Sequence, residues 1–139
     1  MARYASTCQV HGLVPIVEPD IDVVNGHHSL DTAMRVSTKI LTAFFKVLQD
    51  YDVYLEGIVL KTSMSVAGKN AGVASSPQDV AKATVLALSR SVPPAVPGVA
   101  FLSGGQTEEQ VSVRNNMGKI FFQVRLLKNR MRDKKRYKS

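Results

Sequence analysis

Three apolar runs in this 139-residue chain each end in a side chain that can do chemistry. Gly12 to Glu18 ends in a carboxylate, Val53 to Lys61 in an amine, and Gly98 to Ser103 in a hydroxyl. A lysine that closes a buried strand, here after Ile58, Val59 and Leu60, loses hydration; its pKa falls and the free amine can attack a carbonyl carbon. Glu18 and Asp20 flank the rigid Pro19 and are placed to move protons beside such an amine. Ser103, with Gly104 and Gly105 ahead of a capped helix, offers a hydroxyl and unobstructed backbone N–H groups, the parts of a phosphate cradle. Each feature alone also has a plainer reading: a solvated strand-end lysine, a solvated acidic loop, a common Gly-Gly turn.

The spacing joins them. Glu18 to Lys61 is 43 positions and Lys61 to Ser103 is 42, a step that fits a strand, a helix and their loops. The chain therefore reads as a repeated βα unit with the three residues at equivalent strand ends. In parallel α/β folds ligands bind at the carboxyl ends of the strands. Spacing nominates Glu18, Lys61 and Ser103 as one site.

The elements that must position them follow from local signals. Residues 2–10 read as a helix, with Tyr4, Ala5 and Cys8 on one face, stopped at His11-Gly12. Leu13, Val14, Ile16 and Val17 form a nearly continuous apolar run, as for a parallel strand covered on both faces, although Pro15 removes a ladder donor. Ser29 caps a helix from Leu30 to about Asp50, with Asp31 in its first turn and an inward stripe of Ala33, Ile40, Leu41, Phe44, Phe45 and Leu48. A second strand spans Val53 to Leu60, with Glu56 inside it and in need of a cationic partner if buried. Thr62 to Ser76 is a long polar loop. Ser76 and Pro77 start a third helix with Val80, Ala83, Leu86 and Ala87 inward. A stiff Pro93-to-Pro97 connector feeds the third strand, and Thr107 with Gln110 has the spacing of a capping box. His27 and His28 read as surface loop residues rather than a metal site.

Composition bounds the rest. A chain of this length, 45% hydrophobic, can bury one real core, yet a closed eight-stranded barrel typically takes about 250 residues. One cysteine, Cys8, excludes an internal disulfide and suits a reducing compartment. There is no apolar run of membrane-spanning length and no signal-like N-terminus, so a cytoplasmic protein is expected. The net charge of +7 is local: residues 119–139 hold nine Lys or Arg and one acid, while the first 118 hold nine against ten. We expect two parts, a folded α/β segment at 1–114 and a basic tail at 115–139. Ile120, Phe121, Val124, Leu127 and Met131 are spaced for a basic amphipathic helix that could meet an anionic surface or nucleic acid. The alternative is an incidental sequence without a function.

Gly12-Leu13-Val14-Pro15-Ile16-Val17-Glu18-Pro19 resembles a segment of class I fructose-1,6-bisphosphate aldolase. So do Leu55-Glu56-Gly57 with Leu60-Lys61, and Val92 to Gly98 with Phe101-Leu102-Ser103-Gly104-Gly105-Gln106. The likeness runs from about Ala2 to about Ser112 and fades from Val113. It implies a partial (β/α)8 barrel of about three βα units and a metal-free, cofactor-free lyase of glycolysis that assembles as a homotetramer. Its substrate would be a sugar phosphate, fructose 1,6-bisphosphate, cleaved reversibly to dihydroxyacetone phosphate and glyceraldehyde 3-phosphate. Lys61 matches the Schiff-base lysine and Glu18 the proton-transferring carboxylate. Asp20 stands where the family usually has a second glutamate, and Ser103 and Gly104 match the loop that holds a substrate phosphate.

The departures define a second reading. Thr62-Ser63-Met64-Ser65 replaces the family's usual residues after the lysine, which predicts a looser loop. The family's aspartate on an early strand, two further lysines, the arginine of the last strand and the C-terminal tyrosine have no counterparts. Three open strands leave two unpaired edges and an inner face without its opposing side chains. A catalytically inactive piece, acting if at all as an interaction module, is the alternative to the enzyme.

Overall fold

The computed structural model describes residues 1–21, 26–104 and 106–116. Within them the elements run α1 (Ala2–Val10), β1 (Ile16–Val17), α2 (Leu30–Asp50), a 3-10 turn (Leu55–Gly57), β2 (Val59–Thr62), α3 (Pro77–Ser91) and β3 (Gly98–Phe101). Residues 108–116 are also helical. The three strands form one parallel sheet in the order β1-β2-β3, each joined to the next through a helix. This is the repeated βα architecture expected from the spacing.

Local chemistry sets the helix ends. Ser29 Oγ accepts the Thr32 N–H at 3.2 Å, and Ser76 Oγ accepts the Asp79 N–H at 3.1 Å, so both N-caps stand where expected. Thr107 and Gln110 bond reciprocally, each backbone N–H to the other's side-chain oxygen at 3.3 Å, which completes the capping box. At the far end of α1, Gly12 (φ +72) lets the Leu13 N–H reach the Cys8 carbonyl at 2.9 Å and its own N–H reach Gln9 at 3.0 Å. The same closure follows α2, where Val53 N–H reaches Leu48 O and Asp52 N–H reaches Gln49 O, both at 3.0 Å. There the left-handed position is taken by Asp52 at φ +51.

The core lies on one face of the sheet. Val17 and Leu60 point into it and meet Leu41, Phe45 and Leu48 of α2 and Leu88 of α3, with Ala2 and Ala5 of α1, Val53, Leu55 and Ile58 completing the cluster. α2 and α3 pack side by side over this face. The inward stripe of α2 is Ala33, Met34, Ser37, Leu41, Phe45 and Leu48; Ile40 is exposed and Phe44 half-buried. In α3 the buried set is Val80, Ala81, Thr84, Ala87 and Leu88, with Ala83 and Leu86 half-buried. Tyr4 lies on the solvent side of α1.

Four expectations change. The first strand is two residues long and is covered on one side only: Leu13, Val14 and Ile16 are exposed. Leu13's N–H is spent on closing α1, Pro15 has none, and no described residue packs across that face. The second strand starts at Val59, not Val53, because Leu55–Gly57 forms a 3-10 turn. Gln9 holds that turn by donating to Tyr54 O at 2.8 Å and accepting the Tyr54 N–H at 3.0 Å. Glu56 is consequently an exposed turn residue rather than a buried strand carboxylate, and it needs no cationic partner. Finally, the segment after Lys61 is not loose. Thr62, Ser63, Met64 and Ser65 are buried, and Ser65 N–H donates to Thr84 Oγ1 of α3 at 3.0 Å.

Candidate active site

The β1–β2 register pairs Ile16 with Val59 and Val17 with Leu60, so its next step sets Glu18 beside Lys61. Side chains alternate faces along a strand. Val17 and Leu60 go to the helices; Ile16, Glu18, Val59 and Lys61 therefore share the opposite, inner face. On that face the Lys61 Nζ lies 2.9 Å from Glu18 Oε1. The two residues nominated across 43 positions of sequence form one ion pair at the carboxyl end of the sheet.

The pair is only partly dehydrated. Both side chains keep 40% of their surface, so the expected loss of hydration at Lys61 is not met within the described residues. The reason is again the open inner face, which in a closed barrel is filled by side chains from the other strands. Just past the lysine, Thr62 Oγ1 and Ser63 Oγ are buried with no hydrogen-bond partner among the described residues.

The third nominated residue is displaced in register. Lys61 pairs with Ala100, so Ser103 lies three positions past the equivalent strand end. The ladder does continue toward it, with Leu102 N–H donating to Thr62 O at 3.1 Å. Gly104 takes φ +55, and a Cβ placed there would lie 4.0 Å from Ser63 Cβ. The Ser103-Gly104 turn thus folds over the residue two beyond Lys61, at the same end of the sheet. Ser103 is exposed, and its carbonyl accepts the Gln106 N–H at 3.1 Å. Asp20 is exposed and makes no ion pair among the described residues.

No group of three or more metal-ligating side chains occurs among the described residues. His27 Nδ1 and His28 Nε2 instead bond the carbonyls of Asn70 at 2.9 Å and Val66 at 3.2 Å. No described helix is long and apolar enough to cross a membrane.

The geometry is that of an amine and a carboxylate in contact at a strand end, beside a Gly-containing turn. The family profile described as fructose-bisphosphate aldolase class-I matches residues 1–125. The chain belongs to this family. It is 53% identical over 117 residues to fructose-bisphosphate aldolase A of Salmo salar and 55% identical over 116 residues to the non-muscle aldolase of Lethenteron camtschaticum. Both alignments cover 84% of this chain and 32% of the relative. Among solved structures it is similar to the fructose-bisphosphate aldolase of Plasmodium falciparum, crystallised with TRAP and a small-molecule inhibitor. That match has a TM-score of 0.81 at 50% identity, over 84% of this chain and 33% of the other. The chain thus spans about a third of the length of the relatives it matches. Its three-stranded parallel sheet is an arc of the family's barrel, which accounts for both the shared register and the open inner face.

Sequence reasoning gave no role of their own to Lys69, Gln106 and Arg114, which line a cleft beside the Ser103-Gly104 turn. No pattern flagged them, because the loop after β2 and the helix after β3 meet only in the fold.

Proposed function

We propose that this chain carries the imine-forming part of a fructose-bisphosphate aldolase site. Lys61 Nζ adds to the substrate's ketone carbon, and loss of water leaves a protonated imine. A base takes the proton of the neighbouring hydroxyl as the carbon–carbon bond breaks. The bond's electron pair moves toward the imine nitrogen, and the aldehyde departs. Protonation of the resulting enamine and attack of water on the imine release the ketone product and restore the amine. Glu18 is the proposed proton carrier for imine formation and hydrolysis, Asp20 an accessory carboxylate, and Ser103 and Gly104 the phosphate holders. The substrate would be fructose 1,6-bisphosphate, and the products dihydroxyacetone phosphate and glyceraldehyde 3-phosphate. The observation that carries the reading is the 2.9 Å contact between Lys61 Nζ and Glu18 Oε1.

Borohydride reduction in the presence of dihydroxyacetone phosphate tests it. A stable adduct on Lys61, found by peptide mass spectrometry and absent in Lys61→Met, is expected. No adduct on the wild-type chain would replace this reading with the non-catalytic one, which draws on the 40% exposure of the lysine. The same proposal carries a homotetrameric assembly and a cytoplasmic location. Sedimentation at micromolar concentration checks the first, and cell fractionation the second. The expected boundary between residues 114 and 115 falls inside the helical stretch 108–116, and the tail from 117 onward lies outside the described residues. Its proposed contact with anionic surfaces or nucleic acid is tested by deleting 119–139 and measuring salt-dependent retention.

A further inference from the structure

A cleft of about 370 Å³ opens between the loop after β2 and the first turns of the helical segment 108–116. Its lining includes Lys69, Gln106, Gln110 and Arg114, shares Gly104 with the Ser103-Gly104 turn, and includes none of Glu18, Lys61 or Ser103. Among the described residues two cations line it and no carboxylate does. Val66, Val73 and Val80 supply an apolar wall.

The polar groups in the cleft are unbalanced in one direction. Arg114 Nη1 donates to Gln106 Oε1, which fixes both side chains. That leaves Arg114 Nε and Gln106 Nε2 buried and without a partner among the described residues. Both are donors, so each lacks an acceptor. A guanidinium held through Nη1 keeps its Nε–Nη2 edge, the fork that grips two oxygens of one oxyanion, and here Nε is buried. Partial burial also pushes the Arg114 pKa down, the mark of a cation short of solvent. Native proteins seldom leave buried donors unmet, and a ligand that supplies acceptors is one resolution.

We infer that this cleft, which backs onto the Ser103-Gly104 turn and does not include Lys61, is a second oxyanion site that takes the phosphate group of a small phosphate monoester. Two positive charges match a dianion, the donors supply the bonds its oxygens need, and the valine wall accommodates a short carbon chain. The proposal goes beyond the lyase reading and does not depend on it.

Titration of the full chain with inorganic phosphate, followed through the arginine Nε–Hε resonances, is the test. The Arg114 resonance is expected to move and saturate, and Arg114→Gln to weaken phosphate binding about tenfold or more, the loss of a charge-assisted contact. Lys69→Gln should weaken it by a smaller factor, while Ser103→Ala and Lys61→Met leave it unchanged. Arg114→Gln in turn should leave the borohydride adduct on Lys61 intact, which separates this site from the proposed lyase site. An Arg114 resonance indifferent to saturating phosphate would overturn the inference even if the variant failed to fold. Acetate binding as tightly as phosphate would overturn the assignment to a dianion.

Discussion

The two faces of the sheet are built from alternate residues of the same strands, yet they live in different solvents. On the helix side Val17 and Leu60 are fully buried; on the other, one residue away, Ile16 keeps 56% of its surface and Lys61 40%. The covered face is complete because α2 and α3, which cover it, lie between the strands in sequence. The open face takes its cover in the family's barrel from strands far away in sequence. Stability in this chain is therefore a property of the outer layer. The Lys61–Glu18 pair sits on the inner one.

Substitution across that divide should show the asymmetry at its largest. Leu60→Ala removes a fully buried side chain from contact with the helices and is expected to cost about 2–5 kcal/mol. Ile16→Ala, on the adjacent strand but the open face, should stay within about 0.5 kcal/mol. Urea unfolding followed by far-ultraviolet circular dichroism measures both. Equal losses would mean that the inner face is also packed, and the comparison would fail.

The same divide separates what was legible in the sequence from what was not. Ser29, Ser76 and the Thr107–Gln110 pair act on N–H groups three residues away, so their roles are written locally and the structure repeats them. The Glu18–Lys61 pairing was legible too, because the 43-residue step equals the strand register. Ser103 was not, since the step from β2 to β3 in register is 39 rather than 42. The turn at Leu55–Gly57 depends on Gln9, 45 positions before Tyr54, and nothing near Glu56 announces it. Exposure of Leu13, Val14 and Ile16 is set by residues outside these elements, so an apolar run could not reveal which face would stay open.

A subtler probe connects the two layers. Thr84 sits on the buried side of α3, donates to Val80 O at 2.7 Å and accepts the Ser65 N–H at 3.0 Å. Thr84→Val keeps the shape but strands the Ser65 N–H, at an expected cost of about 1–3 kcal/mol. Because Ser65 is four residues past Lys61, the segment leading out of β2 should also exchange its amide hydrogens faster. Hydrogen exchange across residues 62–66 checks this. Loss of stability without faster exchange there would show that the outer layer does not hold the loop.

The smallest expected effect falls on the inner face itself. Glu18→Gln removes the charge that meets Lys61 but keeps the side chain's length. A pair with 40% of each side chain in water is worth at most about 1 kcal/mol, and that amount should shrink as salt rises. Lys61 loses its ion-pair partner among the described residues but can turn to solvent, so nothing is left buried and unpaired. The fold should therefore barely register the change, whereas the rate of borohydride trapping should fall clearly, because carbinolamine dehydration loses its nearby proton donor and acceptor. A large stability loss with unchanged trapping would reverse the assignment and make the ion pair structural. A small loss with slowed trapping would leave the inner face with chemistry and little structural duty.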